Sequence, residues 1–291
     1  MDLQAIWQWF IAPLQYEFMV KAILVSAFVG LVCAFLSCYM TLKGWALMGD
    51  AVSHAVTPGV VIAHLLNLPF ALGAFVFGVS SVLAIGFIKS KTRIKEDTVI
   101  GLVFTGFFAF GLVLISKNPA NLDLMHILFG NVLGISNQDI IQTLIVGIIT
   151  LITLLVLQKD LLLFCFDPTH ARSIGLNITA LYYILLSILS LTIVAALQTV
   201  GIILVVAMLV TPGAIAYLLS DRFNQMILIA TSSGVFSSVM GTYISYHIDG
   251  ATGGCIVVLQ TLLFLVAMIF APKHGLLVRF KTKNSTSSLE S

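Results

Sequence analysis

The chain has 291 residues, of which 59% are hydrophobic and only 9% charged, with a formal net charge of +2 and a mean hydropathy of +1.10. Soluble domains carry about 25% charged residues, so this composition excludes an ordinary soluble globular protein, and so small a charge gives no basis for a nucleic-acid partner. The apolar stretches are long enough for helices that cross about 30 Å of hydrocarbon with about 20 residues each, whereas the alternating segments of about ten residues that build a barrel are absent.

The chain opens on Ile6-Trp7-Gln8-Trp9-Phe10, which reads as an interfacial aromatic anchor. It lacks the basic stretch and small-residue cleavage site of a removable signal peptide, and none is expected. Spans are expected over residues 19–40, 45–66, 69–88, 98–116, 139–157, 178–197, 201–219, 225–247 and 253–270. The expected fold is therefore all-α, a polytopic membrane helix bundle of about eight or nine transmembrane helices. Residues 1–283 form a single transmembrane domain in this reading, and the polar segment 284–291 a disordered tail.

The second span is the odd one. It contains Asp50, His54, Thr57, Pro58 and Gly59, and it is expected to be broken or displaced from lipid, because Pro58 removes a helical hydrogen bond. Asp50 and His54 are four residues apart, so on a helix they share one face. Ionisable groups at membrane depth are costly and line pathways or polar cavities. A carboxylate and an imidazole form a mixed donor set that suits Mn²⁺, Fe²⁺ or Zn²⁺ better than Cu(I). Two readings of the pair stand: a metal-handling site, or an Asp–His hydrogen bond that holds a broken helix together. The surrounding Gly44, Gly49, Ala51, Ser53, Ala55 and Gly59 permit close helix approach.

Orientation follows from the basic residues. Lys89, Lys91, Arg93 and Lys95 lie between the third and fourth spans, and Lys273, Arg279, Lys281 and Lys283 follow the last. The positive-inside rule places both clusters, and the carboxyl terminus, in the cytoplasm, with Lys159 and Arg172. Glu96 and Asp97 are expected to open the following helix, where carboxylates favour the positive dipole end. Asp123, His126, His247 and Asp249 then fall outside, either as solvated surface or as groups that meet an incoming metal or its carrier. Cys33, Cys38, Cys165 and Cys255 have no paired spacing and are expected to be neither ligands nor disulfide partners. Pro58 and Pro212 are expected to kink or interrupt their helices.

Between the fifth and sixth spans lies a segment too polar to cross. Asp167 followed by Pro168 fits an N-cap with proline at the first helical position, and Gly175 fits a C-terminal stop. A short cytoplasmic helix results, with Ala171 and Arg172 inside it and Leu176 beyond. Phe164, Phe166, Ala171, Ile174 and Leu176 give it apolar surface, to be met either by this chain's own helices or by a separate cytoplasmic protein. No phosphate-binding string of the form Gly-x-x-x-x-Gly-Lys-Ser/Thr accompanies it, so any ATP that drives this chain is bound by another.

Three strings carry a resemblance: Leu42-Lys-Gly44-Trp45-Ala-Leu-Met48-Gly49-Asp50-Ala-Val-Ser53-His54-Ala-Val-Thr-Pro58-Gly59; Asp167-Pro-Thr-His-Ala171-Arg-Ser-Ile-Gly175-Leu176; and Val200-Gly201-Ile-Ile-Leu-Val-Val-Ala-Met208-Leu-Val-Thr-Pro212-Gly213-Ala. Together they resemble the membrane permeases of bacterial manganese, zinc and chelated-iron ATP-binding-cassette importers. The likeness runs through nearly the whole chain, and the first string is its most specific part; Thr57 and Thr211 depart from the family's usual apolar residues. The resemblance implies a multi-pass permease of the bacterial inner membrane that forms a homodimer, binds two cytoplasmic ATPase subunits at the helix Asp167–Leu176, and takes metal from an extracytoplasmic binding protein. It implies no covalently bound cofactor and no chemistry on this chain: the divalent ion is the cargo, and hydrolysis belongs to the ATPase. A self-sufficient metal/proton transporter remains the alternative. An intramembrane metallohydrolase would need a fuller ligand set, such as His-Glu-x-x-His, which this chain lacks.

Overall fold

The computed structural model describes residues 11–117, 135–271 and 275. The aromatic anchor at 6–10, Asp123, His126, the basic residues after Pro272 and the tail 284–291 lie outside the described residues. Every regular element among the described residues is helical, and nine helical runs are long and apolar enough to cross a membrane. The spans come where hydropathy puts them, with ends extended by a few residues.

In chain order the helices are α1 (Glu17–Lys43), α2 (Ala46–Ala55), α3 (Thr57–Leu65), α4 (Phe70–Lys91), α5 (Glu96–Lys117), α6 (Asn137–Val156), α7 (Gln158–Phe166), α8 (Pro168–Ser173), α9 (Ile178–Val200), α10 (Ile202–Leu219), α11 (Phe223–Ile248) and α12 (Thr252–Phe270). Caps fix several starts: the Ser136 hydroxyl accepts from the Asp139 amide at 3.1 Å, and the Asn177 side chain accepts from the Ala180 amide at 3.0 Å. Glu96 and Asp97 lie in the first turn of α5, as expected of carboxylates at a helix start.

The chain divides into two compact units, Met1–Thr41 with Ala207–Ser291, and Leu42–Val206. In the first, α1 and α11 meet through small residues. A Cβ on Gly30 would run into the Ser238 side chain, and one on Gly234 into Ala34 at 2.7 Å. Buried hydroxyls bond across the same seam, Ser26 with Thr242 at 3.0 Å, and Gln260 of α12 donates to Ser237 of α11 at 3.2 Å. Without a hydrophobic force between helices in lipid, close packing and such interhelical bonds hold them. Pro212 lies inside an unbroken α10, so the expected interruption is absent there. The next residue, Gly213, lies against α1, where a Cβ would fall 2.5 Å from the Ser37 carbonyl oxygen.

In the second unit the run Ala46–Leu65 and α9 are the interior spans, each with 67% of its apolar window buried against 22% for α5 and for α6. The second span is thus withdrawn from lipid, as its sequence predicts. Glycines bring α3 and α4 together backbone to backbone: a Cβ on Gly59 would collide with the Gly73 carbonyl, and a Cβ on Gly73 with that of Gly59. Val56, Val60, Ala74 and Val194 form a buried cluster beside this contact. On α6 and α9, Thr150 and Thr192 share a hydrogen bond at 3.0 Å. Gly44 serves differently from the packing role its size implies: it adopts φ +74° between α1 and α2, with nothing within 4 Å of where a Cβ would be.

Candidate functional site

The second span is helical from Ala46 to Leu65 but interrupted at Val56, two residues before Pro58. Proline has no amide hydrogen, so the carbonyl four residues earlier, that of His54, loses its helical donor. A backbone N–H at the Val56 cap reaches that carbonyl instead, and the hydroxyl of Thr57 adds a second donor, to the His54 carbonyl oxygen at 2.8 Å. The break is seated on α5 at Gly111, where a Cβ would lie 3.1 Å from the Pro58 nitrogen and from the Thr57 methyl carbon.

Asp50 and His54 project from α2 together. Nε2 of His54 lies 3.4 Å from Oδ1 of Asp50, and the side chains are 24% and 44% exposed for His54 and Asp50 respectively. That separation exceeds the usual 2.7–3.2 Å of an N–H···O hydrogen bond. It matches the gap between two ligands that each sit about 2.1 Å from one metal ion at roughly tetrahedral angles, about 3.4 Å. The imidazole is flanked on α5 by Phe104 and Phe108, each with its ring centroid 5.4 Å away. The neighbours Met48, Gly49, Ala51, Val52, Ser53, Ala55 and Val56 are buried, while Leu47, Asp50, His54 and Thr57 are not. Those four positions fall on one stripe of the helical surface, so the polar pair lies on the less buried side of α2, with Asp50 the more exposed of the two and His54 beside the phenylalanines of α5. At 1.5 Å per residue, Asp50 and His54 sit about 7.5 and 13.5 Å along the axis from Trp45, nearer the end of the span that joins α1. Among the described residues no group of three or more His, Cys, Asp or Glu side chains is close enough to hold a metal ion.

The segment between the fifth and sixth spans folds as its sequence predicts. Asp167 ends α7, its amide donating to the Leu163 carbonyl at 2.9 Å, and begins α8, its carboxylate accepting from the amides of Thr169 and His170 at 2.9 Å each. Pro168 occupies the first helical position. Gly175 stops the helix at φ +89°, and the Leu176 amide reaches back to the Ala171 carbonyl at 3.1 Å. The apolar residues divide into two sets. Phe164 and Ala171 are buried against the chain itself, whereas Phe166 and Ile174 are 65% and 58% exposed, and Arg172 is exposed beside them.

The remaining candidates carry less chemistry. Glu96 lies close enough to Lys43 and Tyr182 for its charge to act on both, and it belongs to no metal-sized cluster among the described residues. His247 is packed edge-on against Tyr243 and Tyr246 at 4.9 and 5.4 Å, and Asp249 takes a left-handed φ of 50° at the exposed end of α11. Cys33, Cys38 and Cys165 are buried and Cys255 half-buried, all four as thiols. Burial pushes the Cys165 thiol up to about 12, against a smaller opposing effect of Lys43.

The ABC 3 transport family model matches residues 15–271. The chain belongs to that family. It is 67% identical to the manganese transport system membrane protein MntB of Synechocystis sp. over 96% of this chain and 91% of that protein. It is 54% identical to the chelated iron transport system membrane protein YfeD of Yersinia pestis, over 89% of this chain and 87% of that one. Among solved structures, PsaBC from Streptococcus pneumoniae, in complex with Fab, superposes with a TM-score of 0.81 at 39% identity, covering 91% of this chain and 96% of the other. This ABC 3 family chain is accordingly a multi-pass membrane protein of the permease fold, the architecture that its sequence predicts. Two site features escape a reading of motifs alone. One is the Thr57 cap on His54, which the threonine before Pro58 signals. The other is a contact between Lys43 and Phe164, for which the sequence holds no sign.

Proposed function

We infer that this chain is the transmembrane permease of an ATP-driven importer of a divalent transition metal. The observation that carries the reading is the Asp50–His54 pair, spaced at 3.4 Å on the less buried side of an interrupted, interior span. The names of its relatives, manganese and chelated-iron transport system membrane proteins, support it. Asp50 and His54 replace part of the ion's hydration shell in transit. Two donors bind weakly enough for the ion to leave, and a second copy facing the same stripe across a two-fold axis would double them. Manganese, iron and zinc all suit the set, so geometry and delivery choose among them.

The partners follow from the same reading: a second permease copy, an extracytoplasmic metal-binding protein, and ATPase subunits that dock on Phe166, Arg172 and Ile174 around the Asp167–Leu176 segment. ATP hydrolysis belongs to those subunits. The permease sits in the bacterial inner membrane with its carboxyl terminus in the cytoplasm, by the positive-inside rule. The family match over 15–271 runs through both compact units and supports one permease domain over residues 1–283.

The test is uptake of radiolabelled Mn²⁺, Fe²⁺ and Zn²⁺ by cells that make the chain with its ATPase and binding protein, comparing wild type with Asp50→Ala and His54→Ala. Loss of uptake at normal membrane levels supports the pair as the metal path, and full uptake by both variants overturns it. Uptake that persists without the ATPase would identify a secondary transporter instead.

A further inference from the structure

The tripeptide Lys43-Gly44-Trp45 joins α1 to α2, and two separate contacts from the segment around α8 end on it. The first runs back along the chain from α8. Asp167 is at once the C-cap of α7 and the N-cap of α8, so the two short helices share a hydrogen-bonded corner. One turn before that corner, buried Phe164 receives the side chain of Lys43: Nζ lies 4.0 Å from the ring centroid and donates to the Phe164 carbonyl at 3.4 Å. An ammonium over an aromatic face is held electrostatically by the ring quadrupole. The second contact runs forward from α8. Asn177 caps α9, and Tyr182, in the following turn, meets the buried ring of Trp45 edge-on at 5.4 Å.

Trp45 is the residue from which α2 starts, five positions before Asp50. Between the two anchored side chains, Gly44 holds φ +74° in open space. It is a point where the backbone can change direction without steric penalty. The other end of α2 is the Val56 interruption. The helix that carries Asp50 and His54 thus spans ten residues up to that interruption, and its start is held by the same two helices that flank α8.

We propose that Lys43, seated on Phe164, is a positioning residue that transmits displacement of the α8 segment to α2 and so sets the presentation of Asp50 and His54. This rests on the permease reading above. Lys43 touches no cargo. It acts through Trp45 and the helix beyond it, and its contact with Phe164 is what makes ATPase movement felt at the metal pair.

The experiment uses the full transporter with its ATPase and binding protein in proteoliposomes, where Mn²⁺ uptake and ATP hydrolysis are read in the same vesicles and expressed as ions moved per ATP. That ratio does not depend on how much protein folds. Lys43→Met is expected to keep hydrolysing ATP while the ratio falls about threefold or more, the size of effect found for residues on a coupling route. Lys43→Arg, which retains a cation over the ring, should restore it. Phe164→Leu, which removes the ring and keeps the carbonyl acceptor, should lower the ratio in the same direction, and the double variant should be no worse than Lys43→Met. A wild-type ratio in Lys43→Met overturns the proposal; if that variant does not accumulate, a wild-type ratio in Phe164→Leu does so. A wild-type transporter that moves none of Mn²⁺, Fe²⁺ and Zn²⁺ would instead overturn the permease reading, which is a separate failure.

Discussion

The hydroxyl of Thr57 donates to the carbonyl oxygen of His54 at 2.8 Å, alongside the backbone N–H that reaches the same oxygen. A hydrogen bond of this kind contributes about 0.5–1.5 kcal/mol net, so the hydroxyl reinforces the helix where it is interrupted, beside Asp50 and His54. Thr57→Val keeps the shape and removes this second donor. It should lower the thermal unfolding midpoint of the purified protein slightly, while Thr57→Ser stays close to wild type. An unchanged midpoint in the valine variant would show that the backbone donor alone serves His54.

Asp167 satisfies two amides of α8. Loss of such a cap costs about 1 kcal/mol, enough to fray a helix of six residues but small against the stability of the membrane bundle. Asp167→Ala should therefore leave membrane levels near normal and weaken co-purification of the ATPase. Gly175→Ala, which forces a Cβ on a φ of +89°, should do the same by spoiling the stop. Retained ATPase binding in both variants would count against docking at this helix.

Gly59 and Gly73 each occupy the space that a Cβ on the other helix would need. Gly59→Ala and Gly73→Ala should both reduce the folded protein recovered from membranes, since overpacking that only backbone movement can relieve costs about 1–3 kcal/mol or more. Gly44→Ala meets no neighbour and carries only the penalty for its φ, about 1 kcal/mol. Recovery measured by size-exclusion chromatography ranks the three, and Gly44→Ala should be the mildest.

The Cys165 thiol, pushed up to about 12 by burial, remains protonated throughout the range below that value, and the thiolate is the reactive form. Native protein at pH 8 should resist alkylation of Cys165 by iodoacetamide for hours, and unfolding in denaturant should release it. Rapid labelling of the native chain would place Cys165 at an accessible surface instead.

Much of this was legible in the residues because membrane physics leaves few choices. Nine apolar runs of the right length give nine helical runs able to cross a membrane among the described residues, and Asp-Pro at one end and glycine at the other bracket α8. The break in the second span follows from Pro58, yet its mildness does not: Thr57 supplies a local acceptor's partner, and Gly111 makes room on a helix more than fifty positions away. Pro212 shows the converse, a proline accommodated inside a continuous α10. The Asp50–His54 pair follows from helical spacing alone. That it lies on the less buried side of α2, beside Phe104 and Phe108, depends on which neighbours bury the other faces, and spacing cannot supply that. The Lys43–Phe164 contact joins residues 121 positions apart and belongs to tertiary packing alone.

The mutual approach of Gly59 and Gly73 also decides what can slide and what cannot. Two backbones in contact interlock like teeth, so α3 cannot travel along α4 by even a fraction of a turn without one carbonyl striking the other strand of peptide. If the second span shifts in the course of transport, α3 and α4 are expected to move as one body, with Asp50 and His54 on the far side of Val56 from the glycines that lock it.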